Sequence, residues 1–222
     1  MSLHQFADRT EAGIELALRV SRVRLRTPLI VLALPRGGVP VAYEVSQALH
    51  APLDVLVVRK IGMPGQPELA IGAIASGNIV VRKPGAAVRY GPDRRTFALL
   101  AERAGAELEG RERSYRGNRP PLMLSGKTAI LVDDGLATGA TMLAAIRAAR
   151  KAGASSIVVA APVASDEVSA LVEAEADALV LLQMPAELQS IGEWYRDFAH
   201  VDDAEVRSLL ERAQPPSRTA PA

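Results

Sequence analysis

The strongest constraint on the fold is a strand-to-helix corner in residues 128–152. The β-branched and aliphatic run Thr128–Val132 ends in two adjacent acids, Asp133 and Asp134. A loop rich in glycine and threonine follows, and an alanine-rich helix is predicted from Thr141. In an open α/β sheet, ligands bind beyond the carboxyl ends of the strands. The corner therefore predicts both a parallel sheet and a binding site at its edge.

The rest of the chain alternates between the same two kinds of element. Continuous apolar runs predict strands covered on both faces, and the segments between them predict helices. Strands joined through helices imply right-handed crossovers, so we expect an α/β fold with an open, mostly parallel twisted sheet flanked by helices. The predicted strands are 29–34, 54–59, 128–133, 156–161 and 178–182, with a hairpin of 71–75 and 79–82, and the predicted helices are 8–24, 39–50, 92–113, 141–152 and 166–174.

Composition and charge exclude several classes of function. The chain has 26 basic and 25 acidic side chains, so its net charge indicates no general affinity for nucleic acid. No apolar run approaches the length of a membrane span, and the first residues lack the apolar region of a signal peptide. The sequence has no cysteine, which excludes a disulfide framework and a thiolate zinc site and fits a cytoplasmic protein.

The loop after the two acids suits a phosphate group. Small residues that lead into a helix N-terminus offer free backbone N–H groups and the positive end of the helix dipole. In front of this loop, Asp133 and Asp134 suit ribose hydroxyls or a magnesium-bound sugar phosphate. Residues 133–141 therefore predict a site for a sugar phosphate. The alternative is an incidental acidic pair at an ordinary corner.

A second loop of this kind follows the first predicted strand, at residues 34–38. Gly37 and Gly38 let the backbone approach a ligand closely, and Arg36 places a guanidinium group beside their amides. A planar, forked cation next to free amides suits a pyrophosphate. The alternative is a simple turn between a strand and a helix.

The two loops together resemble those of type I phosphoribosyltransferases. That family carries a hydrophobic strand, two acids and a Gly-x-Ala-Thr-Gly-x-Thr loop, all of which stand at residues 129–141. The resemblance implies binding of 5-phosphoribosyl 1-pyrophosphate (PRPP) with Mg²⁺, an ion held mostly by the substrate and water and not by the protein alone. It implies that the acids hold the ribose hydroxyls and that the loop at 137–141 wraps the 5′-phosphate. It also implies that Arg36, in the loop at 34–38, neutralises the pyrophosphate. The peptide bond between Pro35 and Arg36 is expected to be cis, as is common in the family. The implied PRPP-binding residues are Arg36, Gly37, Gly38, Arg59, Asp133, Asp134, Gly135, Ala137, Thr138, Gly139, Ala140 and Thr141, and the implied catalytic residues are Asp133, Asp134, Arg36 and Lys60.

A third segment, residues 58–70, resembles the flexible catalytic loop of adenine phosphoribosyltransferases. It leaves a predicted strand at Arg59 and Lys60, and it contains two prolines and two glycines. The resemblance implies a loop at about 60–72 that closes over the substrates, with Glu68 as a polar contact. The sequence leaves open whether Arg59 or Lys60 faces the pyrophosphate, and whether the segment is only a solvated hairpin connection.

The family builds its base pocket from a small hood, for which the segment beyond the last strand is the candidate. Ile191 would contact the edge of a base through its backbone, and Trp194 and Tyr195 offer flat surfaces for stacking. The alternative is that these aromatic residues anchor the C-terminal segment to the core. The expected division of the chain is a core at 1–182, the hood at 183–213 and a disordered tail at 214–222.

The resemblance implies a Mg²⁺-dependent transfer of the ribosyl 5-phosphate group from PRPP to a nitrogen nucleophile, and the expected acceptor is a nucleobase. Ala137 stands where hypoxanthine-guanine enzymes carry an acid, which argues against a 6-oxopurine acceptor. We also expect a homodimer, with no membrane or nucleic-acid partner. Two alternatives stay open: a regulatory sensor that binds PRPP with little catalysis, and a PRPP-binding domain that serves a partner enzyme.

Overall fold

The computed structural model describes residues 4–82 and 92–213, in which strands and helices alternate. The strands are β1 (Leu29–Ala33), β2 (Leu53–Val55), β3 (Val58–Met63), β4 (Gln66–Ala75), β5 (Ile79–Arg82), β6 (Thr128–Val132), β7 (Ser156–Val163) and β8 (Ala178–Gln183). The helices are α1 (Arg9–Val20), α2 (Gly38–Leu49), α3 (Arg94–Arg116), α4 (Ala140–Lys151), α5 (Asp166–Glu173) and α6 (Asp203–Arg212), with a short 3-10 helix at Gly192–Trp194. The predicted tail, 214–222, lies outside the described residues.

Five parallel strands form the central sheet, in the order β2-β1-β6-β7-β8. Alternate side chains of β6 point into two apolar clusters, one on each face of the sheet. Ile130 packs in the cluster that contains Leu16 of α1, and Leu131 packs in the cluster that contains Met142 of α4. Since helices cover both faces, every residue of β6 is buried. The predicted parallel sheet flanked by helices is confirmed.

Strands β3, β4 and β5 form a separate antiparallel sheet, which corrects two expectations. The single strand expected at 54–59 is divided, because the backbone leaves the parallel sheet at Val57, whose N–H donates to Ser76 Oγ at 3.0 Å. The segment 60–72, expected to be a loop, is mostly strand, because a two-residue turn at positions 64–65 joins β3 to β4. The positive φ of Gly65, +78°, permits that tight turn. The hairpin expected from 71–75 and 79–82 is present as β4 and β5.

Helix α6 lies in the region 183–213 and was not among the predicted elements. Asp202 caps it by accepting a hydrogen bond from the backbone N–H of Glu205 at 2.8 Å. Val206 and Leu210 are buried on its inner face, and Leu209 is partly buried beside them. It packs against α2 and α3 and so returns the C-terminal segment to the core. Among the described residues, no helix has the length and apolar character needed to cross a membrane.

Candidate functional site

The two loops that were predicted to bind ligand lie side by side at the carboxyl edge of the sheet. They follow β1 and β6, which are adjacent and in register. A Cβ atom on Gly38 would lie 2.7 Å from Val132 O and 2.9 Å from Asp133 Cα. A Cβ atom on Gly37 would collide with the carboxylate of Asp134. Only glycine permits this approach, so the two loops form one site.

The two acids of this site differ in their surroundings. Asp133 Oδ1 accepts a hydrogen bond from the backbone N–H of Asp134 at 2.9 Å. Burial, and then the charge of Asp134, raises the pKa of Asp133 well above its ordinary value. Asp134 Oδ2 instead accepts a hydrogen bond from Arg9 Nε at 2.8 Å, and these two side chains are only 13% and 11% exposed. Asp133 therefore resists ionisation, whereas Asp134 is held in place by Arg9.

Arg9 is a site residue that sequence reasoning missed. Besides its bond to Asp134, it donates from Nη1 to Ala199 O at 2.7 Å, and its guanidinium carbon lies 3.8 Å from the centroid of the Phe198 ring. The hydroxyl of Tyr195 donates to the backbone oxygen of Asp134 at 2.6 Å. Because Arg9 and Asp134 are 125 residues apart, no local pattern in the sequence indicates their pairing.

The loop after the acids leads directly into α4. Gly139 caps this helix with φ +67°, a conformation that favours glycine. A Cβ atom there would also lie 2.9 Å from Val168 Cγ1. Residues 137–138 are exposed, and residues 140–141 are partly buried. The loop therefore presents backbone N–H groups at the positive end of a helix, an arrangement that binds phosphate.

Arg36 borders a cavity of about 410 Å³ beside the first loop. The peptide bond between Pro35 and Arg36 is cis, as expected. Arg36 Nη1 lies 3.4 Å from Asp203 Oδ1, and Arg36 Nη2 lies 2.6 Å from His200 Nε2. Neither His200 nor Asp203 was singled out from the sequence. The polar side chains that line the cavity are Arg36, Arg111, Tyr115, Thr141 and Asp203.

Arg59 and Lys60 are separated by the alternation of side chains along β3. Arg59 forms an ion pair with Glu107 of α3. Lys60 lines a different, mostly apolar cavity of about 430 Å³, to which Thr138 and Ala140 of the phosphate-binding loop also contribute. The structure thus brings Lys60, and not Arg59, to the loop that follows the acids, and neither residue lines the cavity of Arg36. The side chain of Glu68 lies outside the described residues.

Of the hood residues, Ile191 and Tyr195 contact the site directly, Tyr195 through its bond to Asp134. A Cβ atom on Gly135 would lie 2.5 Å from Ile191 Cδ1. Trp194 is partly buried against an apolar cluster that contains Phe6 and Tyr195, and its backbone oxygen accepts a hydrogen bond from Phe6 N–H at 2.9 Å. The groove that Trp194 borders includes no described residue of the two loops. These contacts are the ones that an anchoring role requires.

Both the sequence and the fold are similar to known proteins. A family model described as a phosphoribosyl transferase domain matches residues 3–194. Two Mycobacterium tuberculosis proteins with provisional phosphoribosyl transferase names, MT0597 (strain CDC 1551 / Oshkosh) and Rv0571c (strain ATCC 25618 / H37Rv), are each 42% identical over 208 residues, covering 94% of this chain and 47% of the relative. The chain thus spans about half the length of these curated relatives. Among solved structures, TT1426 from Thermus thermophilus has 39% identity and a TM-score of 0.86, covering 95% of this chain and 100% of that one.

Proposed function

The chain belongs to the phosphoribosyl transferase domain family, and on that basis we propose that it is an enzyme that transfers the 5-phosphoribosyl group from PRPP to a nitrogen nucleophile. The observation that carries the proposal is the direct contact of the two loops, in which Gly37 and Gly38 lie against Asp133 and Asp134. This contact puts a cation, two acids and a phosphate-binding helix terminus at one edge of the sheet. The proposed acceptor is a nucleobase.

In the proposed reaction the sugar phosphate lies across both loops. The amides of residues 137–141 and the positive end of α4 hold the 5′-phosphate. Arg36 stabilises the negative charge on the leaving pyrophosphate. Asp133 and Asp134 hold the ribose hydroxyls and stabilise the positive charge that develops on the ring. The protein acts through position and charge and forms no covalent bond to the substrate.

Magnesium enters the proposal as an ion that binds with PRPP. Within residues 4–82 and 92–213, no cluster of three or more His, Cys, Asp or Glu residues is arranged to hold a metal ion. Of the two acids at the site, Asp134 is already paired with Arg9. This donor set fits an ion that is held mostly by substrate oxygens and water. The bound ion would supply charge neutralisation at the pyrophosphate.

Lys60 and Ile191 are the proposed contacts at the margins of the site. Lys60 shares a cavity with Thr138, so its ammonium group adds positive charge beside the phosphate loop. The side chain of Ile191 packs on Gly135, which places its backbone beside the loop that would hold the ribose phosphate. The proposed cover of the bound substrates is the β3–β4 hairpin.

The proposal is tested by a screen of nucleobases with labelled PRPP and Mg²⁺, scored for pyrophosphate release. Turnover of any base is the expected result. The double variant Asp133→Asn/Asp134→Asn should lower the rate by about 10²–10³, the usual cost of a lost electrostatic contact in a transition state. Tight PRPP binding without turnover would support the sensor alternative instead. If the protein binds neither PRPP nor ribose 5-phosphate, the proposal is overturned.

A further inference from the structure

A carboxylate of the protein itself lines the cavity beside Arg36. Asp203, the first residue of α6, accepts a hydrogen bond from the Tyr115 hydroxyl at 3.3 Å, on the same oxygen that lies 3.4 Å from Arg36 Nη1. Its other oxygen lies 3.5 Å from the hydroxyl of Ser114. Donors from the loop after β1 and from α3 thus converge on one carboxylate. Such a set of donors is what an anionic ligand would use.

Arg111 adds a second guanidinium group to the same cavity. It stands four residues before Tyr115 in α3, so both side chains lie on one face of the helix. Burial and the neighbouring charge of Asp203 raise the pKa of Tyr115, so its hydroxyl stays a donor at neutral pH. Among the described residues, Arg111 has no hydrogen bond or ion pair, whereas Arg59 pairs with Glu107 nearby on that helix. The cavity therefore has one more positive charge than its carboxylate neutralises.

The ion pair between Arg36 and Asp203 is weak enough for an anionic ligand to replace Asp203. Their side chains are 39% and 46% exposed, and an ion pair in such surroundings contributes little to stability because water competes for both partners. A diphosphate offers two anionic groups to two guanidinium groups, where Asp203 offers one. The volume of about 410 Å³ gives such a group room beside Thr141, which belongs to the adjoining phosphate loop.

We propose that Arg111 and Tyr115 are further ligands of a diphosphate group, and that Asp203 takes the place of that group while the site is empty. The proposal rests on the proposed function, since that function supplies the diphosphate. The group is either the pyrophosphate portion of PRPP or free pyrophosphate. When it binds, Arg36 exchanges the Asp203 carboxylate for a phosphate oxygen, and Arg111 gains an anionic partner.

The first test of this proposal is calorimetric titration with inorganic pyrophosphate. Arg111→Gln should weaken binding about two- to fivefold, the effect expected for one exposed charge, and orthophosphate binding should change less. Arg113→Gln removes the same charge two residues further along α3 and is the matched control. Equal affinities for pyrophosphate in Arg111→Gln and Arg113→Gln would overturn the role of Arg111.

The second test concerns the competing carboxylate. Asp203→Asn should tighten pyrophosphate binding about two- to fivefold, because the ligand no longer displaces a charged partner of Arg36. Glu205→Gln removes an acid from the same turn of α6 and should leave the affinity unchanged. An affinity of Asp203→Asn at or below that of Glu205→Gln would overturn the proposal. Tyr115→Phe keeps the ring and removes the hydroxyl donor, so it should weaken pyrophosphate binding. It tests the site independently if Asp203→Asn lowers the melting temperature too far for titration.

Two further titrations separate this proposal from the function on which it rests. Titration with PRPP distinguishes the two sources of the diphosphate. If Arg111→Gln weakens the binding of both PRPP and pyrophosphate, the site belongs to the substrate. If it weakens the binding of pyrophosphate alone, the site belongs to the product. Ribose 5-phosphate reports on the phosphate loop without the cavity of Arg36. If the wild type binds ribose 5-phosphate but all variants bind pyrophosphate with equal affinity, only the role of Arg111, Tyr115 and Asp203 is refuted. Wild-type protein that binds neither ligand would refute both.

Discussion

Asp133 is a residue at which stability and the proposed catalysis conflict. Burial and the charge of Asp134 raise its pKa, so the folded state holds a proton there more tightly than the unfolded chain does. Above the raised pKa, the buried carboxylate lowers the free energy of unfolding. That loss fades as the pH falls towards the ordinary value of 3.8, because the group is then protonated in the folded state. The proposed reaction, by contrast, uses the charged form.

We therefore expect Asp133→Asn to stabilise the fold at pH 7 while it lowers turnover. The gain should be about 0.5–2 kcal/mol, the usual scale when a functional residue that strains the fold is replaced. For a chain of this size each kcal/mol corresponds to ~2–4 °C in melting temperature. Melting curves at pH 7 and at about pH 4 test the sign, because the gain should shrink at the lower pH. A lower melting temperature at pH 7 would contradict this account of Asp133.

Arg9→Met should destabilise the protein and weaken ribose 5-phosphate binding. The change leaves the nearly buried carboxylate of Asp134 without its ion-pair partner, which costs about 1–3 kcal/mol. Arg19→Met, at an exposed position of the same helix, is the matched control and should melt close to the wild type. Equal melting temperatures for Arg9→Met and Arg19→Met would show that the pair contributes nothing to stability.

At the scale of the elements, the start of α4 determines whether the phosphate site forms. Gly139→Ala should abolish most ribose 5-phosphate binding, because its Cβ atom would lie 2.9 Å from Val168 Cγ1 and displace the backbone N–H groups that the phosphate approaches. The positive φ of +67° at this position also costs about 1–2 kcal/mol for a residue with a Cβ atom. Gly126→Ala has a similar φ of +73° with open space around its Cβ, so it matches the backbone cost far from the site. Equal loss of binding in both variants would place the phosphate elsewhere.

In the hood, we expect a substitution to lower stability and leave ligand binding unchanged. Trp194→Ala should lower the free energy of unfolding by about 1–3 kcal/mol, less than the cost at a fully buried aromatic residue, because the side chain is only partly buried. Affinity for PRPP and for an active base should stay near that of the wild type. Thermal melting and binding on the same variant decide the matter. Base binding weakened by about 1–3 kcal/mol with an unchanged melting temperature would show that Trp194 stacks on the base.

The elements that could be predicted are those whose determinants are contiguous in the sequence. The corner at β6 joins an apolar run, two acids, a small-residue loop and a helix within about two dozen positions, so each part supports the others. The β3–β4 hairpin lacked such agreement, because two prolines and two glycines favour a loop until the conformation of Gly65 is known. Helix α6 was missed although Val206, Leu209 and Leu210 stand at helical spacing, because this short pattern lies in a segment that was assigned to the hood as a whole.

The whole molecule contributes to the site, and this part could not be predicted. Arg9 comes from the first helix, and His200 and Asp203 come from the C-terminal segment. Each is an ordinary polar residue in its local sequence, and only the folding of the chain brings it to Asp134 or Arg36. Sequence reasoning therefore predicted the two loops that the structure brings together and missed the residues that hold those loops in place.

Since the site joins α1 and the segment 195–203 to the central sheet, ligand binding should stabilise the whole fold. PRPP at one hundred times its dissociation constant should add about 2.7 kcal/mol to the free energy of unfolding. The melting temperature should then rise by ~5–10 °C. Scanning calorimetry with and without PRPP measures the shift, and Gly139→Ala should show little of it. An unchanged melting temperature at saturation would contradict the site as described.

The hydrogen bond from Arg9 to Ala199 also has a consequence for the protein while it is being made. It joins residues 190 positions apart, so at 5–20 residues per second about 10–40 s of translation separate the two partners. Both loops of the proposed site leave the ribosome well before Phe198 and Ala199 do. Until Ala199 emerges, Arg9 lacks the backbone oxygen that helps to hold its guanidinium group beside Asp134. We expect chains that stop before Phe198 to capture no sugar phosphate, so that binding begins only after Ala199 has left the ribosome.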